Sequence, residues 1–285
     1  MDPKALLTAN DLDESDGIFL AKSAERTVWD DMAQRDATHA VISSDPDGEW
    51  RKSSHQIAQI AQHVTSETIL LDVGCGYGRI AKYLLPERSA AAYIGVDGSI
   101  LMLRLFKERY ASSLAEQRTP AVWINGNISD LAIKSGVVDL VVVSAVFLHN
   151  HKELVRRAMH EIERVLRPGG KLLVFSCFPR RATLMGVQGS LYQLLLNLLG
   201  DRFRNGPVRY YSKRQVEDML RGFSSRELVP YDFEVVPKSI VVLSGRADEL
   251  WRKNVASPLN RFLASAIPAK WRSAFCRHYD VVAVK

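Results

Sequence analysis

The sequence predicts an α/β fold built on a doubly wound, largely parallel sheet. Three observations carry that prediction. Short apolar runs alternate with helical patterns from residue 68 to residue 178. One run, VVDLVVVSAV (137–146), is apolar almost throughout, as a strand covered on both faces is. A glycine cluster, Gly74-Cys75-Gly76-Tyr77-Gly78, sits directly between an apolar run and a helical one.

The elements follow in order. Residues 1–17 are polar and acidic and read as loose chain. Residues 18–66 hold helical pieces. In SSHQIAQIAQHV, Ile57, Ile60, Ala61 and Val64 recur at i, i+3, i+4 and i+7, the mark of an amphipathic helix. With Trp29, Trp50 and His55, this stretch reads as a cap. Residues 1–66 are thus a flexible segment and helical cap, set before a main domain of residues 67–285. TILLDV (68–73) is the first strand of that domain, and RIAKYLL (79–85) a helix stopped by Pro86. AYIGVD (92–97) is a strand, and SILMLRLFKERY (99–110) a helix with Ser99 as N-cap. AVWI (121–124) and the run at 137–146 are strands. KELVRRAMHEIERVL (152–166) is a helix closed by Arg167-Pro168-Gly169-Gly170, and KLLVFSCF (171–178) the next strand. Alternation at this spacing builds βαβ units with helices on both sheet faces.

The later chain is less regular. MGVQGSLYQLLLNLLGDRF (185–203) lies in an insertion at 179–211. It reads either as an apolar lid over a substrate or as a helix packed on the core. Ser212 and Gln215 make a capping box at the start of a helix. YDFEVVPKSIVVLSG (231–245) reads as a strand interrupted by proline. Residues 246–276 form a basic, tryptophan-bearing helical insertion, and HYDVVAVK (278–285) is a closing strand.

Composition bounds the function. The chain has 285 residues, 47% hydrophobic and 25% charged, an ordinary soluble balance. Cys75, Cys177 and Cys276 are far apart and odd in number, which argues for a reducing, cytoplasmic setting without a disulfide framework. They show no metal-ligand spacing, so no metal is expected. No signal peptide and no membrane-length apolar run is read. The net charge of +6 is uneven: from residue 176 onward 18 Lys and Arg face 9 Asp and Glu. A solvated basic surface explains this more simply than an anionic partner. The insertion at 246–276 reads either as an amphipathic cover for the last strand pair, the simpler reading, or as a peripheral membrane contact.

Doubly wound sheets bind ligands outside the carboxyl ends of their strands. Asp72, Asp97, Asn127 and Ser144 to His149 all fall at or just after such ends. The glycines allow unusual backbone angles and close approach of a ligand. Their G-x-G-x-G pattern departs from the dinucleotide fingerprint. Asp97, 19 residues after Gly78, suits a pair of ribose hydroxyls. Asp72, at the mouth of the turn, suits a cationic amino group better than a pyrophosphate. Together they suit a nucleoside that carries an amino acid.

Residues 68–178 resemble the core of the class I S-adenosylmethionine-dependent methyltransferases of the type 11 kind. LLDVGCGYGR resembles the first motif of that family and GVDGS the second. GNISDL (126–131), VVDLVVVSAVFLHN and EIERVLRPGGKLLV fit its later motifs, and RYYSKRQVEDMLRGF and YDVVAVK resemble its ending. The resemblance implies a Rossmann-like, mostly parallel seven-stranded sheet with an antiparallel final strand. It implies S-adenosyl-L-methionine as cofactor. Gly74, Gly76 and Gly78, with Cys75 between them, would pass its amino-acid end, and Asp72 would bind the amino group. Asp97 would hold the ribose, with Gly98 and Ser99 close by. Asn127 would meet the adenine amino group through its side-chain oxygen, with the Ile128 amide on a ring nitrogen and Met102 over one face. Ser144 and Phe147 would approach the sulfonium. Arg79 is either a surface residue or a contact to the cofactor carboxylate.

Three classes of function remain in view. The first is methyl transfer to a small molecule, apolar or linked to lipid or sugar. The second is methylation of RNA or protein, which the sequence SAVFLH after the fourth strand argues against for base amines. The third is a non-catalytic binder of the cofactor. If the acceptor is protonated, His149 is the leading base, with His151, Tyr210 and Tyr211 behind it; the alternative is a scaffold role for His149.

Overall fold

The glycine cluster follows a central strand of a nine-stranded sheet, and the architecture builds outward from that strand. The computed structural model describes residues 1–8, 12–22, 30, 46–180, 183, 186, 187, 190, 208–237, 247 and 250–285. The strands are β1 (Leu12–Ser15), β2 (Ile18–Ala21), β3 (Ile69–Val73), β4 (Ala92–Asp97), β5 (Ala121–Asn125), β6 (Val138–Ser144), β7 (Leu166–Pro179), β8 (Ser225–Phe233) and β9 (Cys276–Val284). Their order is β1-β2-β5-β4-β3-β6-β7-β9-β8. The strands from β2 to β7 in that order run parallel. β1 is antiparallel to β2, and β9 is antiparallel to both β7 and β8. The chain leaves β3 on one side through β4 and β5 and returns on the other through β6 and β7. The strand order therefore reverses between β3 and β6, where a crevice opens at the carboxyl ends.

The helices cover both faces. Leu71, Val73, Ile94, Val96, Val141 and Val143 pack with Val155, Met159 and Ile162 of α4 (Lys152–Val165). The alternate residues Leu70, Tyr93, Leu140 and Val142 pack with Ile57 and Ile60 of α1 (Pro46–Ala61). Ile80 and Leu84 of α2 (Arg79–Leu84) and Leu103 and Phe106 of α3 (Ile100–Glu116) join that second layer. Burial on both faces is why these strands read as continuous apolar runs. The capping box forms as expected at Ser212 and Gln215 of α5 (Lys213–Met219). No helix among the described residues is long and apolar enough to cross a membrane.

The structure corrects the strand count from seven to nine. Residues 12–15 and 18–21, read as loose chain and the start of helical pieces, form a hairpin that extends the sheet beside β5. Its two-residue turn is Asp16-Gly17, both at positive φ, and Asp-Gly is a strong hairpin signal. β1 hides because it is an edge strand with one apolar residue. β8 also begins earlier than read, at Ser225, and spans Pro230; prolines are tolerated on sheet edges. Residues 238–246, part of the strand expected there, lie outside the described residues, as does nearly all of 185–203. β7 starts at Leu166, five residues early, because Gly169 at φ +76° lets the Pro-Gly-Gly turn dock on the C-terminus.

Candidate active site at the carboxyl edge of the sheet

The three glycines divide by what surrounds them. All have positive φ: +72° at Gly74, +53° at Gly76 and +88° at Gly78. A Cβ at Gly74 would overlap the Val146 side chain, and one at Gly78 the Phe106 ring. Those two positions are glycine because the protein itself fills the space. At Gly76 nothing lies within 4 Å of where a Cβ would stand. Only there does the loop open its backbone outward. The loop is clamped from behind, since the Gly74 and Cys75 amides both donate to the Val96 carbonyl, at 2.7 and 3.1 Å.

Asp97 ends β4 and ties the loop to the next helix. Its Oδ2 accepts from the Gly76 amide at 2.8 Å and its Oδ1 from the Ser99 amide at 2.8 Å. Each oxygen retains a second lone pair, so the carboxylate can still accept two hydroxyls. Burial pushes its carboxyl up to about 6, against the pull of those two amides. Asn125, opposite Asp97 in the ladder, steadies the turn by donating to the carbonyls of Asp97 and Gly98 at 3.0 and 2.9 Å. Asp72 lies deeper, 1% exposed. Tyr93 donates to its Oδ2 at 2.8 Å, and burial raises its carboxyl to about 7. Two buried carboxylates this close to one loop favour a cationic ligand. Burial also holds the Cys75 thiol well above its ordinary range, so it is neutral and packs as a small residue beside Gly95.

Arg79 is neither a surface residue nor free to swing. Its guanidinium donates to Ser53 Oγ at 2.8 Å, Gln56 Oε1 at 3.1 Å and Ser144 Oγ at 2.6 Å. Ser144 in turn donates to Gln56 Oε1 at 2.8 Å. This network joins α1, α2 and the end of β6. Ser53 and Gln56 were missed by sequence reading, although both are polar residues on the buried stripe of α1.

Other expected residues sit differently. Ser99 caps α3, and its hydroxyl also donates to the buried Asp30 at 2.6 Å. Asn127 Oδ1, expected to face adenine, already accepts from the Ser129 amide and hydroxyl, both at 3.0 Å. Phe147, expected near the sulfonium, is fully buried in the core against Phe178. Tyr211 is likewise buried and donates to the Phe147 carbonyl. Ile128 and Met102 are buried, with Met102 outside both apolar clusters. His149 lies partly buried on a single 3-10 turn after β6, and His151 at the N-cap of α4. No group of three or more His, Cys, Asp or Glu among the described residues could hold a metal ion. A second cluster, His55, Ser176, His278 and Asp280, was not foreseen as a unit; the polar His-x-Asp alternation within an apolar closing strand was its one signal.

Comparison with known proteins bears on this edge directly. Residues 71–174, from within β3 to within β7, match the family described as "Methyltransferase domain". A demethylmenaquinone methyltransferase of Chlamydia pneumoniae is 27% identical over 159 residues, 55% of this chain and 63% of that protein. A phthiotriol/phenolphthiotriol dimycocerosates methyltransferase of Mycobacterium tuberculosis is 33% identical over 103 residues, 35% of this chain and 34% of that protein. The chain thus spans less than two thirds of either relative. The crystal structure of a SAM-dependent methyltransferase from Archaeoglobus fulgidus aligns with a TM-score of 0.52 at 16% identity, over 84% of this chain and 96% of that one, a likeness of fold.

Proposed function

We propose that the chain is a class I S-adenosylmethionine-dependent methyltransferase that methylates an apolar, lipid-like small molecule at a membrane surface on the cytoplasmic side. S-adenosylmethionine supplies a methyl group activated by a sulfonium, whose charge is relieved on transfer. The observation that carries the cofactor assignment is Asp97, held between the glycine loop and α3 with a lone pair left on each oxygen. Asp97 takes the ribose hydroxyls. The Gly76 backbone lies along the amino-acid end, and Asp72 balances the cationic charge from beneath. The Ile128 amide and Met102 border the adenine, while Asn127 shapes the turn rather than reading the base. Arg79 and Ser144, fixed through Gln56, hold the end of β6 where donor and acceptor meet in line.

The acceptor class rests on the C-terminal helices. Residues 252–256, 257–266 and 269–272 are helical. Phe262 is 65% exposed and Trp271 60%, with Leu250, Val255 and Leu259 also exposed. Arg252, Lys253, Arg261, Lys270 and Arg272 stand among them. Exposed aromatic and aliphatic side chains interspersed with cations suit an anionic lipid surface. The acceptors in the two relatives' names, demethylmenaquinone and the phthiotriol dimycocerosates, point the same way. The free cysteines support the cytoplasmic side.

One labelling experiment tests the reading. The protein is incubated with methyl-labelled S-adenosylmethionine and a whole-cell extract, then the label is followed through solvent extraction. Label in the organic phase is the expected result. Label in precipitated RNA or protein would support the macromolecular reading, label in water-soluble metabolites would overturn the lipid-like acceptor, and no transfer would favour a non-catalytic binder.

A further inference from the structure

The second polar cluster belongs to no motif in the chain. Between the pairs Val174↔Val281 and Phe178↔Tyr279, Phe175, Ser176 and Cys177 of β7 stand opposite Asp280 alone, so β7 bulges. Ser176 sits in the bulge at φ +53°, a left-handed conformation that costs a non-glycine residue about 1–2 kcal/mol. Its amide leaves the ladder and donates to Asp280 Oδ1 at 3.0 Å. Asp280 is 4% exposed, and its Oδ2 has no hydrogen-bond partner among the described residues. His55 Nε2 stands 3.6 Å from that oxygen, an ion-pair distance. His278 Nε2 lies 3.6 Å from Oδ1 and 3.2 Å from Ser176 Oγ. The His55 ring stacks on Tyr231, centroids 4.0 Å apart at 10°, and stands nearly perpendicular to the Phe175 ring at 6.5 Å. Backbone strain, a bulge and an underbonded buried carboxylate at one point are marks of a site rather than of packing.

The cluster adjoins the reactive end. Gln56, next to His55 on α1, bonds Arg79 and Ser144 and reaches Ser176 Oγ at 3.5 Å. We propose that His55, oriented by Asp280, is the general base that takes the proton of a phenol-like or enol hydroxyl on the methyl acceptor. This rests on the methyltransferase reading of the same edge. With the proton on Nε2, which stands 3.6 Å from Asp280, Nδ1 keeps a lone pair. Nδ1 takes the hydroxyl proton, and the oxygen electron pair forms the new bond to the methyl carbon. The carbon–sulfur bond breaks with its electrons returning to sulfur, so the sulfonium charge is lost and the proton stays on His55. Asp280 stabilises the imidazolium. Burial holds His55 below its ordinary range, so it is neutral and able to accept near pH 7. Burial raises Asp280 to about 7. Tyr231 and Asp232 of β8, Cys177 of β7 and His278 of β9 are the other titratable groups around it.

2-Naphthol, an apolar ring with one ionisable hydroxyl, is the probe. The protein is titrated with it near neutral pH, with and without S-adenosylhomocysteine, and the naphtholate fluorescence band is read, since excited naphthol is acidic enough to give its proton to an imidazole beside it. Calorimetry on the same samples reports S-adenosylhomocysteine binding. The wild type is expected to bind neutral naphthol and, on excitation, to emit from naphtholate, because His55 is the base in contact with the hydroxyl. His55→Ala and His55→Gln should lose the band, and Asp280→Asn should shift its pH midpoint, while all three keep S-adenosylhomocysteine affinity. Absence of naphthol binding, emission from neutral naphthol alone in the wild type, a band that survives both His55 variants, or a band lost only in His149→Ala would each overturn the proposal. Failure of the wild type to bind S-adenosylhomocysteine would strike the methyltransferase reading instead, and the band without that ligand still decides the base.

Discussion

Asp97 and Asp280 both lie at the carboxyl edge of one sheet, both accept a backbone amide from a positive-φ turn, and burial raises both carboxyls, to about 6 and about 7. Their construction differs. Asp97 gathers Gly76 and Ser99, 21 and 2 residues away, within a single βαβ unit. Asp280 gathers Ser176, 104 residues away, and His55, whose number puts it 225 positions earlier. The first cluster lies inside the matched family region, whereas His55 and Asp280 lie outside it. On the proposed reading, the first cluster holds the cofactor and the second faces the acceptor.

Three measurements would break or sharpen that comparison. The largest effect is expected at Asp97→Ala. Loss of two hydrogen bonds to a charged group, each worth about 1.5–3 kcal/mol, should weaken S-adenosylhomocysteine binding by about 100-fold or more. Calorimetric affinity that barely changes would remove the ribose assignment and leave the two clusters without a functional division.

Next come the glycines. Gly74→Ala meets Val146 and carries φ +72°, so it should cost about 2–4 kcal/mol of stability in urea unfolding. Gly76→Ala meets nothing within 4 Å and bears only backbone strain, about 1–2 kcal/mol, yet should impair cofactor binding more than its stability loss explains. Equal stability losses would mean that Gly76 does not face a ligand.

The smallest effect is a pH slope. The Asp72 carboxyl stands at about 7 when folded, above its ordinary 3.8, so the folded chain holds that proton more tightly than the unfolded one. Its stabilising contribution is full below the ordinary value and is lost as pH rises through about 7. Asp72→Asn, which does not titrate, should therefore gain on the wild type by about 1.4 kcal/mol for each pH unit between those two values. Urea midpoints at several pH values check it, and the opposite slope would mean that Asp72 is already charged and balanced without a ligand.

Much of the edge was legible in the chain. The five central parallel strands, the helices after them and the carboxylates at residues 72 and 97 fell where periodicity and strand ends put them. The hairpin at 12–21 was also legible through Asp16-Gly17, but its polar edge strand masked it. The division of labour among the glycines was not, because Val146 and Phe106 come from elements far along the chain. Nor was the engagement of the Asn127 oxygen by Ser129, since a side chain can turn to its own backbone or outward without any change in sequence pattern.

The sequence by itself determined the doubly wound core, the glycine loop and the buried carboxylates, because these depend on residue periodicity and on hydrogen bonds made within one strand-loop-helix unit. The tertiary structure alone decided that His55, Ser176, His278 and Asp280 meet. Their meeting depends on the antiparallel register of β7 with β9 and on where β7 bulges, and a slip of one residue would turn Asp280 to the opposite face of the sheet.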